Sequence, residues 1–221
     1  MSQEPADRPP KRMRLAGVRA PKPVLDPVIE KNLSARQLEL LDDLQHQVKQ
    51  DQFAHWTMAE IASRMGCSLR TLYGIAPSKE ELILTVVDRR MRHIGRKAFN
   101  HLDESMSPVE GLRAYLKAAH VAVQPESVAF ASAFAHLPGA KKLVDRHEEY
   151  VAAVTQALLE RAQSAGEIIQ IDTVAVAHLL GGLGRELGRP GSAKGRRTSP
   201  KETADALVDV ILKGLAVSSG G

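Results

Sequence analysis

The sequence predicts an all-α fold: a three-helix head near the N-terminus, one long helix leading out of it, and a helical body filling the rest of the chain. Three observations carry this expectation. Alanine, leucine and glutamate are plentiful while aromatic residues make up only 4%, a balance that favours helix over strand. No stretch alternates apolar and polar residues with the period of two that a half-buried strand needs. Three times, at Ser34, Thr57 and Ser78, a hydroxyl residue is followed three positions later by Gln or Glu and then by an apolar stripe, the capping box that opens a helix.

With 221 residues the chain can bury a full core as one large or two small domains. It contains no apolar run long enough to span a bilayer and no signal-like segment, which predicts a cytoplasmic protein without membrane contact. The single cysteine, Cys67, rules out an internal disulfide framework and fits a reducing compartment, where it reads as a packed thiol. Net charge is +4, and residues 1–24 hold all of that excess: Arg8, Lys11, Arg12, Arg14, Arg19 and Lys22 against Glu4 and Asp7. Residues 1–27 therefore read as a basic flexible arm. Two uses stay open for it, contact of Lys11, Arg12 and Arg14 with a nucleic-acid backbone or minor groove, and a solubilising tail.

In the head, Ser34 opens the first helix, with Leu38, Leu41, Leu44 and Val48 as its buried stripe. Phe53 and Trp56 follow and are expected to fill the space between the first and second helices. Thr57 caps the second, whose apolar face is Met58, Ile61, Ala62 and Met65. Gly66 ends it, because glycine takes the left-handed conformation without a Cβ penalty. Ser68 caps a third helix of about five residues, Leu69 to Tyr73, too short to be stable without packing. A small residue where two helices meet, a glycine in the turn and a capped short helix give the spacing of a helix-turn-helix.

Ile61-Ala62, Gly66-Cys67-Ser68, Leu72-Tyr73 and Pro77-Ser-Lys-Glu-Glu-Leu82 together resemble the DNA-binding domain of the TetR family of transcriptional regulators over about 48 residues. Ala76 stands where that family usually has phenylalanine, and Gln52 where it usually has glycine; both bear on packing around the motif. The resemblance implies a homodimer on double-stranded DNA. On the short helix, Ser68, Leu69, Arg70 and Thr71 are expected to face bases, Arg70 as a bidentate guanine donor and Leu69 against a thymine methyl group. Thr57, Tyr73 and Lys79 sit where the family contacts phosphates. Ser68 and Thr57 have the alternative role of simply capping their helices.

From Ser78 the fourth helix meets no breaker until about Ser105, and Leu82, Val86, Val87, Met91, Ile94 and Phe99 give it one buried side. Further helices are expected from Pro108 to Gln124, over 127–137, over about 141–165, from Asp172 and from Pro200. The last two have broad apolar faces, the former with Gly181, Gly182, Gly184 and Gly188 allowing close approach, and they suit an intersubunit four-helix bundle as well as an internal core. The body's low aromatic content points to an apolar cavity, for which Phe99, Tyr115, His120, Phe130, Phe134, Tyr150 and His178 are candidate lining residues, with ordinary core packing as the alternative for each.

No catalytic constellation is legible. His147-Glu148-Glu149-Tyr150-Val151 lacks the second histidine of a zinc-protease motif, and no phosphate loop or nucleophile elbow occurs. No metal or cofactor is expected. The reading is thus a head and arm (residues 1–27 arm, 28–80 DNA-binding domain) on an effector-binding and dimerisation body (81–221). As a whole it reads as a non-enzymatic repressor that binds an inverted repeat and is released by a small apolar effector. The alternatives are a helical enzyme acting on a small molecule and a DNA-binding protein with no effector.

Overall fold

The computed structural model describes residues 13–48, 53–123, 128–188 and 197–217, and among these the chain forms ten α-helices and no strand. The head comprises α1 (Pro27–Asn32), α2 (Ala35–Gln47), α3 (Met58–Arg64) and α4 (Leu69–Tyr73). The body is built on α5 (Lys79–Asn100), α6 (Pro108–Ala119), α7 (Val128–Ala135), α8 (Ala140–Ser164), α9 (Thr173–Gly188) and α10 (Pro200–Leu215). The all-α architecture read from composition and caps is the one the chain adopts.

Two apolar cores form. Leu40, Leu41, Leu44, Phe53, Trp56, Ile61, Ala62, Leu72 and Ile75 fill the head, and Leu102, Leu112, Tyr115, Leu116, Leu158, Leu180, Val208 and Leu212 fill the body. Helix α5 belongs to both: Leu82, Ile83 and Val86 enter the head core and Ala98 the body core. With 22 residues it is a rod of roughly 33 Å. Phe134 and Leu137, at and just beyond the end of α7, pack against the head core, so the body also touches the head away from the rod.

Several expectations are corrected. Residues 27–32 form a helix ahead of the predicted first one, with Pro27 at its start and the Asp26 carboxylate accepting the Val28 amide at 2.7 Å; six residues are too few to display periodicity. In α2, Leu40 is fully buried and Leu38 only partly. Helix α5 stops at Asn100, short of Ser105, because Leu102 turns into the body core and the Ser105 amide donates to Asp103 Oδ1 at 2.7 Å. At Ser78 the cap runs one way only, its hydroxyl accepting the Glu81 amide.

The largest correction concerns the arm. Residues 13–26 lie along the body as a strap. Met13 is 2% exposed within the body core, its amide donating to the Leu102 carbonyl at 3.3 Å, and Leu15 and Val18 pack beside it. Arg161 donates to the Arg14 carbonyl at 3.2 Å and Arg146 to the Lys22 carbonyl at 3.1 Å, while the Val24 amide donates to Asp88 Oδ2 at 3.0 Å. The strap thus runs back from the far end of α5 toward the head. Its apolar residues, spaced among the charges, find a surface that composition does not reveal.

Asp88 lies fully buried between the two cores. Its carboxylate accepts from His147 Nε2 on α8 at 2.9 Å, from Arg92 Nε at 2.9 Å and from the strap at Val24. Burial alone would raise its pKa, but these three donors outweigh it and hold the carboxyl below the ordinary range. Arg92 and Arg89 also reach Glu30 of α1, at 3.6 and 3.0 Å, and Arg89 reaches Asp42 of α2 at 3.2 Å. One cluster of charges therefore joins strap, rod, body and head.

Candidate nucleic-acid interface

The head presents one short helix, and each part of its support follows from local sequence. Thr57 and Glu60 cap α3 reciprocally: the Glu60 amide donates to Thr57 Oγ1 at 3.2 Å and the Thr57 amide to Glu60 Oε2 at 2.7 Å. The chain turns at Gly66, whose φ is +58°, and the Cys67 amide closes the end of α3 on the Ala62 carbonyl at 2.9 Å. Burial pushes the Cys67 thiol pKa up, so it stays protonated and unreactive near neutral pH. Ser68 then caps α4, its Oγ accepting the Thr71 amide at 3.1 Å and lying 2.8 Å from Thr71 Oγ1.

Leu72 is the root of α4, wholly buried in the head core. Leu69 and Tyr73 are 41% and 53% exposed, and Arg70 is exposed on the side away from Leu72. An exposed guanidinium beside two large, partly apolar side chains suits a groove that offers base edges, methyl groups and sugars. Thr71 and Lys79 are half-buried, while Thr57 and Ser68 are exposed but commit their hydroxyls to helix caps. All seven head residues nominated from sequence therefore belong to the motif or to the helix start beside it.

Sequence reasoning missed three residues that frame this face. Arg64 stacks its guanidinium 4.2 Å from the centre of the Trp56 ring, which itself meets Phe53 edge-on at 5.5 Å. Arg36 donates to the Met65 carbonyl at 3.1 Å and pairs with Glu39 at 3.3 Å. Gln37 donates from Nε2 to the Thr71 carbonyl at 3.2 Å. The capping pattern marks Gln37 for its own helix, but its second bond is to a residue 34 positions on and leaves no trace in local spacing.

The remaining nominations scatter. Lys11 and Arg12 lie outside the described residues, as does the Phe130 side chain. Arg14 is exposed on the strap, its carbonyl accepting from Arg161 of α8. In the body, Tyr115 is buried with Phe99 and Tyr150 packed against its cluster. Burial drives the Tyr115 hydroxyl pKa far above its ordinary value, with Tyr150 adding to the shift, and that hydroxyl has no hydrogen-bond partner. His120 is buried with Nδ1 2.8 Å from Asp205 Oδ1 and Nε2 unpartnered. Burial lowers its pKa against the opposing pull of Asp205. Phe134 belongs to the head core, not a body cavity. His178 is exposed on α9, whose inward residues are Ala177 and Leu180. The seven do not line one cavity.

Among the described residues no three His, Cys, Asp or Glu side chains converge as they would on a metal ion, and no helix is long and apolar enough to cross a membrane. No family model matches the sequence, and no curated protein matches it. Solved structures do match. A TetR transcription regulator from Haloarcula marismortui superposes with a TM-score of 0.69 at 17% identity, covering 82% of this chain and 98% of that one. The fold is that of the TetR regulators. A TetR/AcrR-family transcriptional regulator from Thermobifida fusca gives 0.62 at 20% identity over 82% and 98% of the two chains. AibR, in complex with isovaleryl coenzyme A and operator DNA, gives 0.56 at 18% over 79% and 97%.

Proposed function

We propose that the chain is a sequence-specific, non-enzymatic transcriptional regulator, a repressor that binds an inverted-repeat operator as a homodimer. The observation that carries this is the set of α4: Leu72 holds it from below while Leu69, Arg70 and Tyr73 face outward. Arg70 reads a guanine, Leu69 meets a methyl group, and Tyr73 and Lys79 hold phosphates. One five-residue helix reads too few base pairs for useful selectivity, so a second copy is needed. Exposed Val174 and Leu179 on α9 and Leu207 and Val210 on α10 give that copy an apolar face to cover. A protein that works on DNA in this way belongs in the cytoplasm.

The functional units follow the charge cluster at Asp88. Residues 28–80 are the DNA-binding unit, 81–221 the body, and the strap belongs with the body. A small effector acts there, by analogy with AibR, whose complex joins isovaleryl coenzyme A and operator DNA on one regulator. Support within this chain comes from two of the body's buried, unpartnered polar atoms, Tyr115 Oη and His120 Nε2, since buried polar groups are seldom left unsatisfied. Two heads must meet successive major grooves about 34 Å apart. An effector that favours another rod angle spoils both half-sites at once.

Selection of bound sequences from random duplex DNA, with light scattering on the same sample, tests the reading. An enriched inverted repeat bound by a dimer is expected. Recovery of no duplex sequence, or a stable monomer at micromolar concentration, would falsify it, and turnover of a bound small molecule would promote the enzyme alternative.

A further inference from the structure

We infer that Gln37 is a positioning residue for base recognition, setting the pitch of α4 from a neighbouring helix; the inference rests on the DNA-binding reading above. Its amide is divided between two tasks. Oε1 accepts the Ser34 amide at 3.0 Å and the Ser34 hydroxyl at 3.1 Å, closing the start of α2, while Nε2 donates to the Thr71 carbonyl at 3.2 Å. Thr71 stands in the middle of α4, directly after Arg70. Its carbonyl is free to receive a side chain because the chain bends after Gly74, where both the Ile75 and Ala76 amides turn to Leu72 instead.

A five-residue helix has one turn of its own hydrogen bonds and cannot fix its own direction. Ser68 holds its start, Leu72 its buried side, and Ile75 and Ala76 anchor the chain just beyond it, but these fix the ends and underside and none ties the middle of its backbone. Gln37 does so through the Thr71 carbonyl. A bidentate contact from Arg70 depends on that direction, whereas phosphate contacts tolerate small rotations. Gly74 is fitted to the same bond: a Cβ there would come 2.6 Å from Gln37 Nε2. Its backbone, at φ −73° and ψ −14°, is ordinary right-handed helix. The glycine therefore leaves room for the amide and serves no unusual conformation.

Affinities for the selected operator and for unrelated duplex, at one salt concentration, test this beside a melting curve for each variant. Gln37→Glu keeps an acceptor for the Ser34 cap but sets a carboxylate against the Thr71 carbonyl. The ratio of operator to unrelated affinity is expected to fall about three- to tenfold, the weight of one hydrogen bond, with the melting temperature lowered by only about 2–4 °C. Gly74→Ala, which should not weaken the helix, is expected to give the same loss by displacing the amide, and to add nothing in a Gln37→Ala background. Equal weakening on both duplexes, an unchanged ratio, or additive losses in the double variant overturn the inference while leaving a selective wild type intact. A wild-type protein that prefers no duplex sequence overturns the DNA reading, and this inference with it.

Discussion

In the head, α3 and α4 have seven and five residues and depend on Thr57, Ser68 and Gly66 to finish their ends, whereas α8 in the body has 25 residues and no side-chain cap at its start. A short helix leaves most of its backbone groups without intrahelical partners, so side chains at fixed offsets must supply them. A long helix makes its own bonds and takes its place from tertiary packing. The head is accordingly a local structure in which, among the described residues, no buried side-chain polar atom lacks a partner. The body is assembled from distant parts, and it leaves Tyr115 Oη and His120 Nε2 buried without partners.

The junction is where this contrast should break most sharply. Asp88→Ala strips His147, Arg92 and the Val24 amide of their shared acceptor and is expected to cost about 3–5 kcal/mol, with head and body unfolding at separate midpoints in a urea titration. A single unshifted transition would show that Asp88 does not join them. Leu72→Ala should remove about 2–5 kcal/mol from the head alone. Hydrogen exchange would then quicken in α3 and α4 but not in α8; equal quickening in both would mean the head does not open independently.

Arg70→Ala is expected to cost about 1–3 kcal/mol on the operator and to relax preference at one base pair of each half-site, while Lys79→Ala weakens all duplexes alike. A selected motif that survives Arg70→Ala unchanged would remove the arginine from base reading. Acid should separate the regions in a different way. Burial depresses His120 below its ordinary 6.5, so the unfolded chain binds the proton first and stability falls as pH drops below that value. Asp88, depressed below 3.8, loses its contribution only beneath that lower figure. Melting curves from pH 7.5 to 3 should show the two losses in succession, and His120→Asn should flatten the first without touching the second. The smallest effect is reserved for Arg14→Ala: no more than about 0.5 kcal/mol in stability and no change in the salt dependence of DNA binding. A flatter salt slope would return the arginine to the DNA.

What the sequence disclosed and what it hid follow the same division. Ser34, Thr57, Gly66 and Ser68 act within four residues of their own positions, so their roles are visible in spacing. Asp88 and His147 are 59 positions apart, and Gln37 and Thr71 34 apart; pairs of that kind leave no periodic signal. Apolar stripes state that a helix is buried but not in which core, and so Phe134 is assignable to a buried face yet not to the head. Residues 13–26 of the arm mislead for a related reason. Its charges are dense enough to dominate any count, while Met13, Leu15 and Val18 are the residues that decide where it lies.

The strap also imposes an order of assembly. Met13 is made well before the core that receives it, which includes Leu102, Leu112 and Leu158, and Arg161, which holds its neighbour, comes 147 positions after Arg14. The head takes most of its core from its own helices and the first turns of α5, so it can begin to condense while the chain is still being synthesised, with Phe134 and Leu137 joining it later. Met13 must wait through the synthesis of α8 before it has anywhere to go. Contacts of such long range close late and slowly, so the strap, made ahead of the head, is among the last segments to find its place.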